Sequence, residues 1–184
     1  MMEIDTNREF DLAIDMCRSL FEKKLHDYGA SWRIMRASSI TDQLFIKAMR
    51  IRTLEVTGCA MVDEGILSEF IGIINYGLVG VIQSKLGAAD AVDMTAEEAL
   101  RLYDTEAEAA KNLMKAKNHD YGEAWRSMRI SSYTDLILTK IARTKQIEDN
   151  CGETLVSEGV DANYRDMVNY AVFAVIKLAI EKPQ

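Results

Sequence analysis

Apolar residues recur at three- and four-residue steps over most of the chain, and no stretch of strict alternation is long enough to make a strand. Phe10, Ile14, Cys17, Phe21 and Leu25 share one face of a helix predicted over about Asn7 to Leu25, which His26-Asp27-Tyr28-Gly29 ends. Ser39-Ile40-Thr41-Asp42 resembles a capping box with Asp in place of Glu. It is read as opening a second helix, which carries Leu44, Ile51 and Leu54 to a stop at Thr57-Gly58. A third helix covers about Val62 to Leu86. Its apolar run from Phe70 to Ile82 spans 13 residues, fewer than the roughly 20 that cross a bilayer, and reads as a buried helix. Gly72, Gly77 and Gly80 each cost about 1 kcal/mol relative to Ala inside a helix, a cost that close backbone packing offsets. Thr95-Ala96-Glu97-Glu98 is a capping box that starts the next helix.

The pattern then repeats. The segment from His26 to Asp42 returns 93 residues later as His119 to Asp135, and Lys24–Glu55 shares 16 of 32 positions with Lys117–Glu148. A one-residue slip near Cys151 changes the shift to 94, after which Asn75-Tyr76 matches Asn169-Tyr170. The expected fold is therefore all-α: duplicated three-helix units, residues 1–86 and 95–184 joined by a linker over 87–94, packed as one pseudo-twofold bundle sharing a core. The third helix and its mate over Thr154–Glu181 are expected at the centre.

Charge narrows the function. With 22 Lys and Arg against 29 Asp and Glu, the net charge of −7 argues against wrapping a nucleic-acid polymer, whereas a single nucleotide remains a candidate partner. Cys17, Cys59 and Cys151 show no CxxC spacing, so neither a disulfide framework nor a thiolate zinc site is expected, and a reducing cytoplasm is the expected compartment. The acidic N-terminus reads as no signal peptide, and no membrane partner is expected.

Half of the repeated identities are ionic: Lys24, Asp27, Arg33, Arg36, Asp42, Lys47, Arg50 and Glu55. A duplication kept only for packing should keep apolar positions first, and here those vary. Lys47 and Arg50, like Lys140 and Arg143, lie three apart on one helical face, with Arg33 and Arg36, or Arg126 and Arg129, in the approach to that helix. Such a cluster suits a phosphate chain. The structural alternative is a salt-bridge network of Asp42, Glu55 and these bases that fixes the two halves. Tyr28 and Trp32, and likewise Tyr121 and Trp125, are candidates to stack on a base beside Lys24 and Lys117, with Asp27 and Asp120 in the same motif; a satisfied core tryptophan is the competing reading. Asn75, Tyr76, Asn169 and Tyr170 are either substrate contacts or buried polar anchors. For a metal, the candidate ligands are Glu158, Asp161 and Asp166, hard oxygen donors that suit Mg²⁺ or Mn²⁺. Glu64 and Glu158 are the candidate catalytic carboxylates.

The doubled pattern of Lys-x-x-Asp-Tyr-Gly, Trp-Arg-x-Met-Arg, Ser-Ser-x-Thr-Asp, Lys-x-x-Arg, Glu-Gly and Asn-Tyr resembles a Bacteroidetes-type family of unassigned function described as a nucleotide-modification-associated domain. It is more distantly similar to MazG-like all-α nucleotide pyrophosphohydrolases. That resemblance implies carboxylates on two helices holding Mg²⁺ while a metal-activated water cleaves a deoxy- or modified nucleoside triphosphate to monophosphate and pyrophosphate. The superfamily's ExxE is absent from both halves, and ExxD occurs only as Glu158–Asp161. Two other functions therefore stand beside the hydrolase: a non-catalytic nucleotide-binding domain and a structural oligomerisation domain. A homodimer is left open.

Overall fold

The structure is a computed structural model that describes residues 5–59 and 65–181; Glu64, one of the two candidate catalytic carboxylates, lies outside the described residues. Each half contributes three helices: α1 (Thr6–Tyr28), α2 (Ala37–Thr57) and α3 (Ile66–Leu86), then α4 (Ala96–Tyr121), α5 (Ile130–Asp149) and α6 (Val160–Val175), the last continued by a π-helical turn over Ile176–Ile180. There is no strand among the described residues. The Asp5 carboxylate accepts from the N–H groups of Asn7 and Arg8 to start α1, and the expected Thr95–Glu98 capping box starts α4. Gly29 and Gly122, at φ +67° and +62°, turn the chain out of α1 and α4 into matching 3₁₀ turns over Ser31–Ile34 and Ala124–Ser127.

Two helix starts differ from the sequence reading: α6 begins at Val160 rather than Thr154, so that Glu158 lies in the loop before it. α2 begins at Ala37 rather than at Ser39-Ile40-Thr41-Asp42, and Arg36 caps it without a side-chain bond. Thr41 is fully buried inside the helix. Its hydroxyl is drawn to the other half of the molecule, where an acceptor is available that the local capping pattern cannot reveal.

α3 and α6 pack on each other at the centre, α2 and α5 flank them, and α1 and α4 close the outside. α3 is long and apolar enough to cross a membrane by length and composition, but it is mostly buried within the protein. Its glycines let α6 approach. A Cβ on Gly77 would lie 2.6 Å from a Val168 methyl, and one on Gly80 would lie 3.0 Å from the Tyr164 ring. The methyl of a β-branched valine is short and stiff, so it cannot swing away. Gly77→Ala is expected to lower stability by about 1–2 kcal/mol in urea unfolding, the overpacking outweighing the roughly 1 kcal/mol that Ala gains in helix propensity. Adding Val168→Ala should recover part of that loss.

The halves meet through reciprocal polar pairs. Thr41 Oγ1 donates to Glu148 Oε1 at 2.7 Å, and Thr134 Oγ1 donates to Glu55 Oε1 at 2.8 Å. These are the same contact under the 93-residue shift. Asp42 pairs with Lys145 at 2.8 Å and Asp135 with Arg52 at 3.8 Å, again as counterparts. Asp42 and Glu55 thus join the two halves, as the structural alternative has it, but through Lys145 and Thr134 and not through the repeated bases. Burial pushes the carboxyls of Glu55 and Glu148 above the usual glutamate range. In that window the folded state binds more protons than the unfolded one, so this contribution to stability falls as pH rises. The melting temperature should therefore rise as pH is lowered from 7.5 toward 5.5, and the Glu55→Gln, Glu148→Gln double variant should flatten that slope.

Candidate anion-binding site

The site in the second half is built from three helices. Lys117 near the end of α4 and Lys140 on α5 each reach one oxygen of Asp166 on α6, both at 2.6 Å. Asp166 is only 5% exposed. Burial alone would raise its carboxyl, but the two ammonium groups hold it below the usual aspartate range. Partial burial pulls Lys117 down, and Asp166, Tyr170 and Glu158 together push it above the ordinary lysine value. Tyr170 stands beside this cluster, its hydroxyl pushed up by burial and then by Asp166.

Arg143, one turn beyond Lys140, is exposed and makes no hydrogen bond or ion pair among the described residues. It opens onto a groove of about 740 Å³ between the C-terminal half of α5, the loop over 153–158 and the start of α6. Lys140, Arg143, Ile147, Glu153, Glu158 and Asn163 are among the residues that line it. The Asn163 amide donates to the Gly159 carbonyl at 2.9 Å, tying the loop to α6.

The first half answers differently. Lys47 (3.5 Å) and Arg50, both on α2, pair with Glu69 on α3. Under the 94-residue shift Glu69 corresponds to Asn163, and Gly72 to Asp166. A Cβ at Gly72 would come within 2.8 Å of the Lys47 stem, so the lysine fills the space in which the second half carries its carboxylate. The Lys47 ammonium also sits over the Tyr76 ring, 5.7 Å from its centre. Glu69 does not belong to any repeated identity; its counterpart is neutral, so comparing the halves hides it.

Several expected ligand contacts serve the fold instead. Trp32 and Trp125 are core residues, and Trp125 stacks on Phe173 with ring centres 4.2 Å apart. Neither tryptophan is open to a base, which corrects the stacking expectation for these two residues, while Tyr28 and Tyr121 are exposed. Arg33, 4% exposed, donates to Asp93 at 2.7 and 3.0 Å, to the Gly87 carbonyl at 2.8 Å and to Gln83. Arg126 is likewise consumed by Thr6, Glu9, Glu123 and Glu181. Each arginine fastens its 3₁₀ turn. Asn75 donates to the Cys17 carbonyl (3.2 Å) and Asn169 to the Ala110 carbonyl (3.1 Å), so both are anchors of the outer helices, not substrate contacts. Tyr103 donates to Asn75 at 2.8 Å, while the Asn169 side-chain oxygen has no partner among the described residues; the position matching Tyr103 is Phe10, which has no hydroxyl.

Lys24, Asp27, Tyr28, Arg36, Asp120, Tyr121 and Arg129 are exposed around the turns, and none of them lines the groove. Asp27 and Asp120 lie 3.4 and 3.0 Å from the neighbouring rings of His26 and His119. The expected metal set is not assembled. Asp166 is held by two lysines, and Asp161 pairs with Arg165 at 2.9 Å, five residues and roughly 140° around the helix from Asp166. No three His, Cys, Asp or Glu side chains converge to hold an ion among the described residues.

Each half of the duplicated helical bundle thus sets bases against one carboxylate. The sequence pattern of nucleotide modification associated domain 1 matches the chain twice, over residues 24–84 and 117–178, and the chain belongs to that family. Both matches contain the Lys-x-x-Arg pair of their half and leave out most of α1 and α4. Neither a curated protein nor a solved structure matches the chain.

Proposed function

We propose that this protein binds a nucleotide through its phosphate and does not turn it over. The observation that carries this reading is the second-half cluster, in which Lys117 and Lys140 hold the buried acid Asp166 and leave Arg143 to line a groove of about 740 Å³. The family's association with nucleotide modification supports the choice of ligand, and a guanidinium fork is the side chain best shaped for phosphate oxygens.

The more specific reading is a Mg²⁺- or Mn²⁺-dependent, MazG-like pyrophosphohydrolase. Such an enzyme needs carboxylates able to share an ion at about 2.0–2.1 Å. Asp166 and Asp161 are each engaged by bases, so the described carboxylates do not fit that role. The test is to incubate the protein with ribo- and deoxynucleotides and Mg²⁺ or Mn²⁺, following binding by calorimetry and pyrophosphate release by a coupled assay. Binding without release is expected. Release that is lost in Glu158→Ala overturns the non-catalytic reading in favour of the hydrolase, and a chain that binds no nucleotide is left with a structural role in oligomerisation.

A further inference from the structure

We infer that the two half-sites are not equivalent: the chain takes one nucleoside monophosphate, in the groove of the second half, with its phosphate on Arg143. This rests on the nucleotide-binding reading and adds to it a place, a stoichiometry and a phosphate count. In the first half the bases are turned inward. Lys47 and Arg50 both lie on Glu69, whose side chain is 10% exposed, and the Lys47 stem covers Gly72. In the second half the carboxylate has moved one turn along the helix, to Asp166, where it takes Lys117 and Lys140. Neutral Asn163 stands at the place of Glu69. Arg143, the counterpart of Arg50, consequently makes no ion pair among the described residues and opens onto the groove.

The phosphate count follows from the rest of the lining. Lys140 and Arg143 bring two positive charges, Glu153 and Glu158 two negative ones, and the Lys117–Asp166 pair behind them is neutral. A triphosphate would crowd close to four negative charges against that balance, whereas a monophosphate brings about two. The guanidinium can meet a single phosphate bidentately. The two glutamates that line the groove are acceptors only, and suit the hydroxyls of a sugar or the amino group of a base.

Calorimetric titration of the whole chain with dAMP, dCMP, dGMP and dTMP, and with the matching triphosphates, tests this. One site per chain is expected, with at least one monophosphate binding about tenfold more tightly than its triphosphate. Arg143→Gln should weaken that binding at least about tenfold and Arg143→Lys less, since the charge stays and the fork is lost; the charge-matched Arg101→Gln, exposed on α4 and not part of the groove, should leave it unchanged. Arg143 is exposed and makes no bond that folding needs. Two sites per chain, a preference for triphosphates, or binding indifferent to Arg143→Gln overturns the inference while nucleotide binding stands. No binding across the panel overturns the nucleotide reading itself.

Discussion

Arg33→Ala is expected to destabilise the protein by about 3–5 kcal/mol, the range for removing one partner from a buried charged network. Against a typical total of about 5–15 kcal/mol, that leaves the variant close to unfolded at physiological temperature. The loss comes from the interior: the guanidinium satisfies the Gly87 carbonyl and Gln83, and Gln83 in turn donates to the carbonyls of Arg33 (3.1 Å) and Met35 (2.7 Å). Asp93, half exposed, re-enters water without difficulty. The measurement is the urea midpoint, and the same substitution separates a fold role from a ligand role. A stable Arg33→Ala protein that fails to bind nucleotide would return this residue to the phosphate site, whereas a protein that simply melts early places it in the frame.

Asp166→Ala should cost about 2–4 kcal/mol, less than a fully enclosed pair because Lys117 is half exposed and can turn to water. Lys140 cannot do so as easily, since its side chain is only 15% exposed. The carboxyl is held below the ordinary aspartate value, so its contribution is complete above about pH 4 and fades as pH falls through the folded-state value. That sign is opposite to the one set by Glu55 and Glu148, which favour the folded state as pH drops toward 5.5. The two effects separate in a melting series. Stability should rise on mild acidification and then collapse below about pH 4, and Asp166→Ala should weaken the second limb without altering the first.

The helices were legible in the sequence because their signals are local. Gly29 and Gly58 end α1 and α2 where a positive φ is needed, and Thr95 with Glu98 starts α4. The start of α2 was misread for the same reason: Ser39-Ile40-Thr41-Asp42 satisfies a local rule, while Thr41 answers to Glu148, 107 residues away. At the site, repetition was an ambiguous guide. Arg33 and Arg126 recur because each half must fasten its turn, Glu55 and Glu148 because each half must meet the other, and Lys47 and Lys140 because each half holds a carboxylate. Identity between repeats looks alike in all three cases. What distinguishes the second half lies in the mismatches, Glu69 against Asn163 and Gly72 against Asp166, which a search for retained residues discards. Why the described carboxylates do not gather as a metal set is only partly contained in sequence spacing: Asp161 pairs with Arg165, and Asp166 with two lysines.

The reciprocal contacts of Thr41 with Glu148 and Thr134 with Glu55 have the self-complementary form of an interface between two identical subunits. In such a dimer every substitution is made twice, so a carboxylate gained in one pocket is gained in both, and assembly depends on concentration. Joining the subunits through residues 87–94 makes the second encounter intramolecular and lets each copy change by itself. Gly72 and Asp166 could then part ways, leaving one pocket closed on its own glutamate and the other with an arginine to offer. Tandem fusion is thus what permits a symmetric scaffold to carry an asymmetric workload.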